Sequence, residues 1–381
     1  MSKTGKEGKA GILLVAAIEL GLIYSVMALG VYLTFRVLEF ADLTVDGSFT
    51  TGAAVAAVSI VNGVNPLVAT VLAFLVGMIA GTITGLLNTK GHIDGLLAGI
   101  LTQIGLYSIN LRIMGTANIS LLRETTLFTS MRESGVLTSW MGVLSLVPLA
   151  LAFLGVLLWF LHTDLGLAMR ATGDNAEMIR SFGSSTDMQK ILGLALSNGM
   201  VAVSGALIAQ FQGFADIGMG IGLIVAGLAS VIIGQAIFGR LTVLRAASAV
   251  VFGSVLYRIV IQLALMAGLN PNDMKLISAI LVILALLLPQ VSWFRYVPAR
   301  FKPRNVDPLE AGLRGDLAHR LATSPPDREE VREEERELLA ESDIALDGGT
   351  GRDMAYEPAG GLAPGLNTEG ADGAAETERD A

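Results

Sequence analysis

Apolar runs dominate this chain from Gly11 to about residue 294, and their lengths give the first reading. Clear stretches fall near 11–35, 66–88, 93–113, 139–161, 187–211, 246–268 and 273–294. Each matches or exceeds the roughly 18–20 apolar residues that cross a ~30 Å hydrocarbon core. Lipid offers no partners for backbone N–H and C=O groups, so such runs fold as helices. Pro66, Pro148 and Pro271 are placed at or near span ends, where a missing N–H costs least. The pattern predicts an all-α, polytopic membrane protein.

Two further stretches, 40–62 and 214–238, are apolar but interrupted by glycine and hydroxyl residues. Both open with Phe-Ala-Asp: FADLTVDGSFTTGAAVAA begins at Phe40 and FADIGMGIGLIVAGLASV at Phe214. Orientation follows from Lys and Arg, which favour the cytoplasmic side. Lys3, Lys6, Lys9, Lys90, Arg170, Arg180, Lys190, Arg240, Arg245 and the basic residues of 295–304 are placed inside, and the loop 114–138 outside. This works if 40–62 dips in and returns to the outer side while 214–238 crosses. The expectation is eight full crossings plus one re-entrant segment, about eight to nine transmembrane helices, with both termini cytoplasmic. True repeats should behave alike, so the two Phe-Ala-Asp segments strain this count.

Composition narrows the chemistry. The 381 residues are 52% hydrophobic and 16% charged, with 44 glycines and no cysteine. Disulfides, thiol catalysis and Cys-ligated metal are therefore excluded. The net charge of −8 hides a split, because residues 305–381 hold 20 acids and 7 bases, against 14 acids and 19 bases before them. That acidic stretch has the composition of a solvated, largely disordered tail with room for one short helix. The apolar run after the basic N-terminus is too long for a signal-peptide core and is expected to remain as a first span. The expected layout is a cytoplasmic N-terminus over 1–10, a transmembrane domain over 11–295 and a cytoplasmic tail over 296–381.

Asp42 and Asp46 stand in apolar surroundings with Thr44, Ser48, Thr50 and Thr51 beside them. A carboxylate in lipid costs about 2.5–3.5 kcal/mol on insertion scales, so such residues face the protein interior or a wet cavity. Gly47 and Gly52 permit the backbone to unwind, as in transporters that present broken helices to polar cargo. Asp42, Thr44, Asp46, Gly47, Ser48 and Asp216 are the candidate pathway residues. The plainer alternative makes Asp42 the cap of a helix starting near Leu43 at the outer interface. Glu19 and Arg258 are a candidate ion pair between helices. The Gly77/Gly81/Gly85 spacing reads as helix packing.

Between the halves lies the polar loop Asp164–Gly183, DLGLAMRATGDNAEMIRSFG. Its second part reads as a short helix capped by Asp174 or Asn175, with Glu177 reaching back and Gly183 as the stop. Met178, Ile179 and Phe182 give it an apolar patch, which suits either the lipid surface or a cytoplasmic partner protein. The chain carries no P-loop, no dinucleotide fingerprint, no H-E-x-x-H and no nucleophile elbow. No catalytic residue, metal site, cofactor or nucleic-acid contact is expected.

Taken in order, FADLTVDGSFTTGAAVAA, RATGDNAEMIRSFG and GFADIGMGIGLIVAGLASVIIGQAIFG resemble segments of the permease subunits of bacterial and archaeal ABC importers of the branched-chain amino acid and ribose type. The resemblance covers about residues 11–295, and is greatest to a branch of amino-acid (tryptophan/tyrosine-like) or uncharacterised permeases. It implies a homodimer or heterodimer of permeases in a prokaryotic cell membrane, two ATP-binding cassette ATPase subunits and an extracytoplasmic solute-binding protein. It also implies that Arg170, Gly173, Asp174, Asn175, Glu177, Arg180 and Gly183 form the ATPase coupling loop within 164–190. The cargo implied is a small polar solute of amino-acid type. The competing expectation is an ion-coupled secondary transporter using Asp42, Asp46 and Glu19.

Overall fold

A computed structural model describes residues 3–239, 241–268, 270 and 274–287. The expected acidic tail, the end of the last apolar run, Pro271, Arg240 and the basic residues of 295–304 lie outside the described residues.

The described residues are overwhelmingly helical. In order they form α1 (Lys3–Tyr32) continued by a π-helical turn (Leu33–Val37), α2 (Thr44–Val61), α3 (Pro66–Thr89), α4 (Gly95–Met114), β1 (Asn118–Ser120), α5 (Thr129–Glu133) and α6 (Trp140–Leu161). The polar loop forms α7 (Asp164–Asp174) and α8 (Ala176–Ser181). There follow α9 (Thr186–Gln212), β2 (Phe214–Asp216), α10 (Leu223–Phe238), α11 (Val243–Met266) and α12 (Met274–Leu287). Seven of these helices are long and apolar enough to cross a membrane, while α10 is apolar but shorter. Pro148 lies inside α6 rather than near a span end.

α6 marks the bilayer. Trp140 and Trp159 are 67% and 71% exposed at its two ends. Nineteen residues at ~1.5 Å each separate them by about 28 Å. That matches the hydrocarbon thickness, and tryptophan favours both interfaces.

α1, α2 and α9 form the buried centre. α9 is inward-facing along most of its length, and α3 packs along it through glycines. A Cβ on Gly77, Gly81 or Gly85 would run into Asn198, Leu194 or Ile191 of α9. The small-residue spacing is therefore a helix-packing row, as its sequence predicts.

Hydrogen bonds fix which ends of the helices meet. At one end Lys90 pairs with Asp187 at 3.7 Å, Thr44 bonds Thr84 at 2.8 Å, and Gly173 of α7 touches the Val37 carbonyl. At the opposite end β1 pairs antiparallel with β2, Asn118 facing Asp216, and Arg132 donates to the Phe211 carbonyl at 2.7 Å. This last bond accounts for a cation in the 114–138 loop: it satisfies a free carbonyl at the end of α9.

The expected topology needs one correction. Glu19 accepts the Thr138 backbone N–H at 3.0 Å, just before α6, whereas the far end of α1 meets α7. α6 leads from the first place to the second. The start of α1 and the α7–α8 loop thus lie at opposite ends of the bundle, not on one face. The cause is α2, which runs the length of α3 in the opposite direction instead of dipping in and returning. Every later helix keeps the direction expected for it.

Candidate functional site

The two Phe-Ala-Asp segments fold differently and at opposite ends. Phe40-Ala41-Asp42 forms the turn into α2, while Phe214-Ala215-Asp216 is the strand β2. What they share is local: Asp42 Oδ1 accepts the Thr44 N–H at 2.9 Å, and Asp216 Oδ1 accepts the Gly218 N–H at 2.8 Å. Each aspartate closes a turn two residues on, which is a common use of a short carboxylate. Asp216 also takes a long 3.5 Å bond from the Asn118 amide.

Asp42 is buried, and its second oxygen accepts the Asn198 amide of α9 at 2.6 Å. Its bond to the Thr44 N–H braces the first turn of α2, whose N-cap residue is Leu43, and this turn lies at the α7 end of the bundle rather than at the outer interface. Thr44 is buried against Thr84, and Gly47 faces Leu106 and Gln103 of α4. The Ser48 hydroxyl is buried without a hydrogen-bond partner among the described residues. Asp42, Thr44 and Gly47 thus set α2 against α9, α3 and α4 in turn.

Asp46 faces the other way. Its Oδ2 accepts the Gly222 N–H at 2.7 Å and its Oδ1 the Ile224 N–H at 2.8 Å. These amides open α10, whose N-cap residue is Gly222, a residue with no capping side chain. A carboxylate from α2 therefore satisfies the orphan donors of a helix 178 residues away. Thr50 adds to the joint by accepting the Gly220 N–H at 3.1 Å while donating to the Asp46 carbonyl. Gly220 is pressed so close to that carbonyl that a Cβ would overlap it.

The result is a discontinuous second-half segment: strand β2, a glycine turn over 217–222 and the short helix α10. Sixteen residues at ~1.5 Å give α10 a length of about 24 Å, short of a full ~30 Å crossing. Non-helical backbone at membrane depth is tolerated where protein or a wet cavity surrounds it. Here Asp46 and Thr50 surround it on one side, and Ile221 is exposed on the other.

The proposed partner charges Glu19 and Arg258 go elsewhere. Glu19 holds the Thr138 N–H, and the Arg258 guanidinium lies 3.5 Å from the Tyr24 ring centroid. Cation–π contact over an aromatic face is a common alternative to a carboxylate partner for a desolvated guanidinium. Asp42, Asp46 and Glu19, the groups an ion-coupled carrier would load, all hold N–H donors.

The polar loop folds as two helices. Thr163 caps α7 by accepting the Gly166 N–H at 3.3 Å, and Asn175 caps α8 by accepting the Met178 N–H at 3.0 Å. Asp174 is the last residue of α7, so the cap role falls to Asn175. The Ser181 hydroxyl donates to the Glu177 backbone carbonyl at 3.1 Å, closing the single helical turn of α8. Gly183 sits at φ +80° and ends α8, a backbone region that favours glycine. Arg180 ties the loop to α9 through Thr186 at 2.7 Å and Asp187 at 3.3 Å. Gly173 belongs to packing, with the Val37 carbonyl where its Cβ would be. Met178 is half exposed and Phe182 is 77% exposed, so the apolar patch remains uncovered.

Known proteins with similar sequences bear on what this arrangement does. Residues 13–287 match the family model described as "Branched-chain amino acid transport system / permease component". A "Tyrosine transport system permease protein" of Clostridioides difficile is 44% identical over 274 residues, covering 71% of this chain and 89% of the relative. An uncharacterised protein of Rickettsia prowazekii is 37% identical over 72% of this chain and 96% of its own length. An autoinducer 2 import system permease of Yersinia pseudotuberculosis is 30% identical over 42% of this chain and 45% of that protein.

Proposed function

Because the chain belongs to the branched-chain amino acid transport permease family, we propose that it is the subunit through which an ATP-driven importer passes a small amino acid across the membrane. Members of the family are permease components of ABC-type importers, and transport rather than covalent chemistry is their work. The single structural observation behind this reading is the joint at Asp46. It holds a glycine turn and a helix start at membrane depth, the kind of broken segment that presents backbone groups to polar cargo.

In this reading Asp42, Thr44, Gly47 and Ser48 build the wall behind the joint, Asp46 sets the position of α10, and Asp216 fixes the strand from which the turn descends. The path runs along the exposed side of residues 217–224. The α7–α8 loop receives the ATPase, with Met178 and Phe182 as its apolar contact and Arg170, Gly173, Asp174, Asn175, Glu177, Arg180 and Gly183 shaping it. Closure of the ATPases moves that loop, and α7 passes the motion to the end of α1 through Gly173. Two permeases, a solute-binding protein on the β1–β2 side and ATPases on the α7–α8 side complete the assembly in a prokaryotic cell membrane.

Reconstitution in proteoliposomes with a cognate ATPase and solute-binding protein tests this reading. ATP-dependent uptake of radiolabelled L-tyrosine or another amino acid is expected. Uptake that proceeds without the ATPase and follows a proton or sodium gradient would refute it.

A further inference from the structure

A polar cavity lies at the α7 end, away from the Asp46 joint. Its volume is about 240 Å³, and it is lined by Tyr32, Arg36, Val37, Arg170, Asp174, Gln235 and Ala246. Three of these come from the π-helical turn or the residue before it. π-turns inside long helices recur at functional sites, because the extra residue turns side chains to a new direction. Here it brings Arg36 over α10, where its Nε donates to Gln235 Oε1 at 3.1 Å.

That bond fixes the Gln235 amide, and so leaves its Nε2 as a donor. Gln235 is only 4% exposed, and Nε2 has no partner among the described residues. A buried amide N–H₂ left unpaired in a polar cavity calls for a ligand or ordered solvent. The charges point the same way. Two guanidiniums and one carboxylate line the cavity, and neither arginine makes an ion pair among the described residues. Ala246 adds the first turn of α11, whose N-terminal end favours an anion. The lining therefore offers donors for an oxyanion and, in Asp174, one acceptor for a cation.

We propose that this cavity binds a free α-amino acid at the α7 end. The solute carboxylate is received by Arg36, Arg170 and Gln235 Nε2, and its ammonium by Asp174. Guanidinium forks suit a planar carboxylate, and the volume fits one small zwitterion. Arg170 and Asp174 belong to α7, so an occupied cavity ties the coupling loop to α1 and α10. Solute on that side then slows ATP-driven uptake. The ligand class rests on the amino-acid importer reading above; the anion-binding geometry does not.

The test uses the purified full chain in detergent, titrated with L-tyrosine, L-leucine, the ammonium-free 3-(4-hydroxyphenyl)propionate and inorganic phosphate, with binding read by calorimetry. Saturable amino-acid binding is expected. Arg36→Gln should weaken it about tenfold or more, Arg36→Lys by less, and Gln235→Leu by several-fold. Asp174→Asn should weaken the amino acids while sparing the ammonium-free analogue. Size-exclusion profiles and melting temperatures without ligand verify that each variant folds. Binding unchanged in both Arg36→Gln and Gln235→Leu, binding of phosphate alone, or no binding of any probe to the wild-type chain would each overturn the proposal. Should wild-type binding follow this pattern while uptake proves independent of ATP, the importer reading falls and the site stands.

Discussion

Asp46 shows how a side chain can stand out in the sequence while its partners stay hidden there. Its isolation among apolar residues flagged it, since a carboxylate there must be paired or hydrated. The sequence holds no sign that its partners are the backbone amides of Gly222 and Ile224. Bonds to a charged acceptor are worth about 1.5–3 kcal/mol each, so Asp46→Ala should cost roughly 3 kcal/mol or more in stability. Asp46→Asn retains one acceptor oxygen and should lose less. Unfolding of the purified variants measures both, and a wild-type stability for Asp46→Ala would remove Asp46 from the joint. Glu19 and Arg258 teach a related lesson. Two unlike charges in spans invite pairing, yet a backbone N–H and a tyrosine face satisfy them separately.

Among the elements, long helices were legible because length and apolarity alone specify them. The Asn175 cap and the Gly183 stop of α8 were legible for a local reason: a cap is decided within three residues. The β1–β2 pair was not, because three-residue strands joined across about 98 residues leave no periodicity to read. Packing rows fall between these cases. Gly81 meets the Leu194 carbonyl, whereas Gly105 in α4 has open space around its Cβ position. Gly81→Leu should therefore abolish folded yield or α3–α9 packing, and Gly105→Leu should be tolerated. Comparing monodisperse yield of the two variants decides it, and equal yields would argue against the tight row. At the loop, Phe182→Asp should cut ATPase co-purification severely with no loss of folded permease. Undiminished co-purification would move the docking surface off α8.

For the whole molecule, charge and helix parity pull against each other at the N-terminus. Lys3, Lys6 and Lys9 favour an N-terminus beside the basic loops, which requires 40–62 to turn back on itself. The contacts at Thr138 and Gly173 instead make α2 a full traverse. The cysteine-free sequence makes this easy to check. Gly11→Cys and Phe182→Cys should react with an impermeant maleimide from opposite sides of oriented vesicles. Labelling of both from one side would place the start of α1 on the same face as the α7–α8 loop.

The borrowed cap of α10 has one more consequence, in the time domain. Amides in the first turn of a helix usually exchange with solvent within moments, since no carbonyl of their own helix protects them. Gly222 and Ile224 are held by a carboxylate on a neighbouring helix, so their deuterium uptake should lag far behind that of other first-turn amides. They become a clock on the joint between the two halves. Any stage of the transport cycle that parts α2 from α10 should register as a burst of exchange at these two positions and leave the interior of α10 protected.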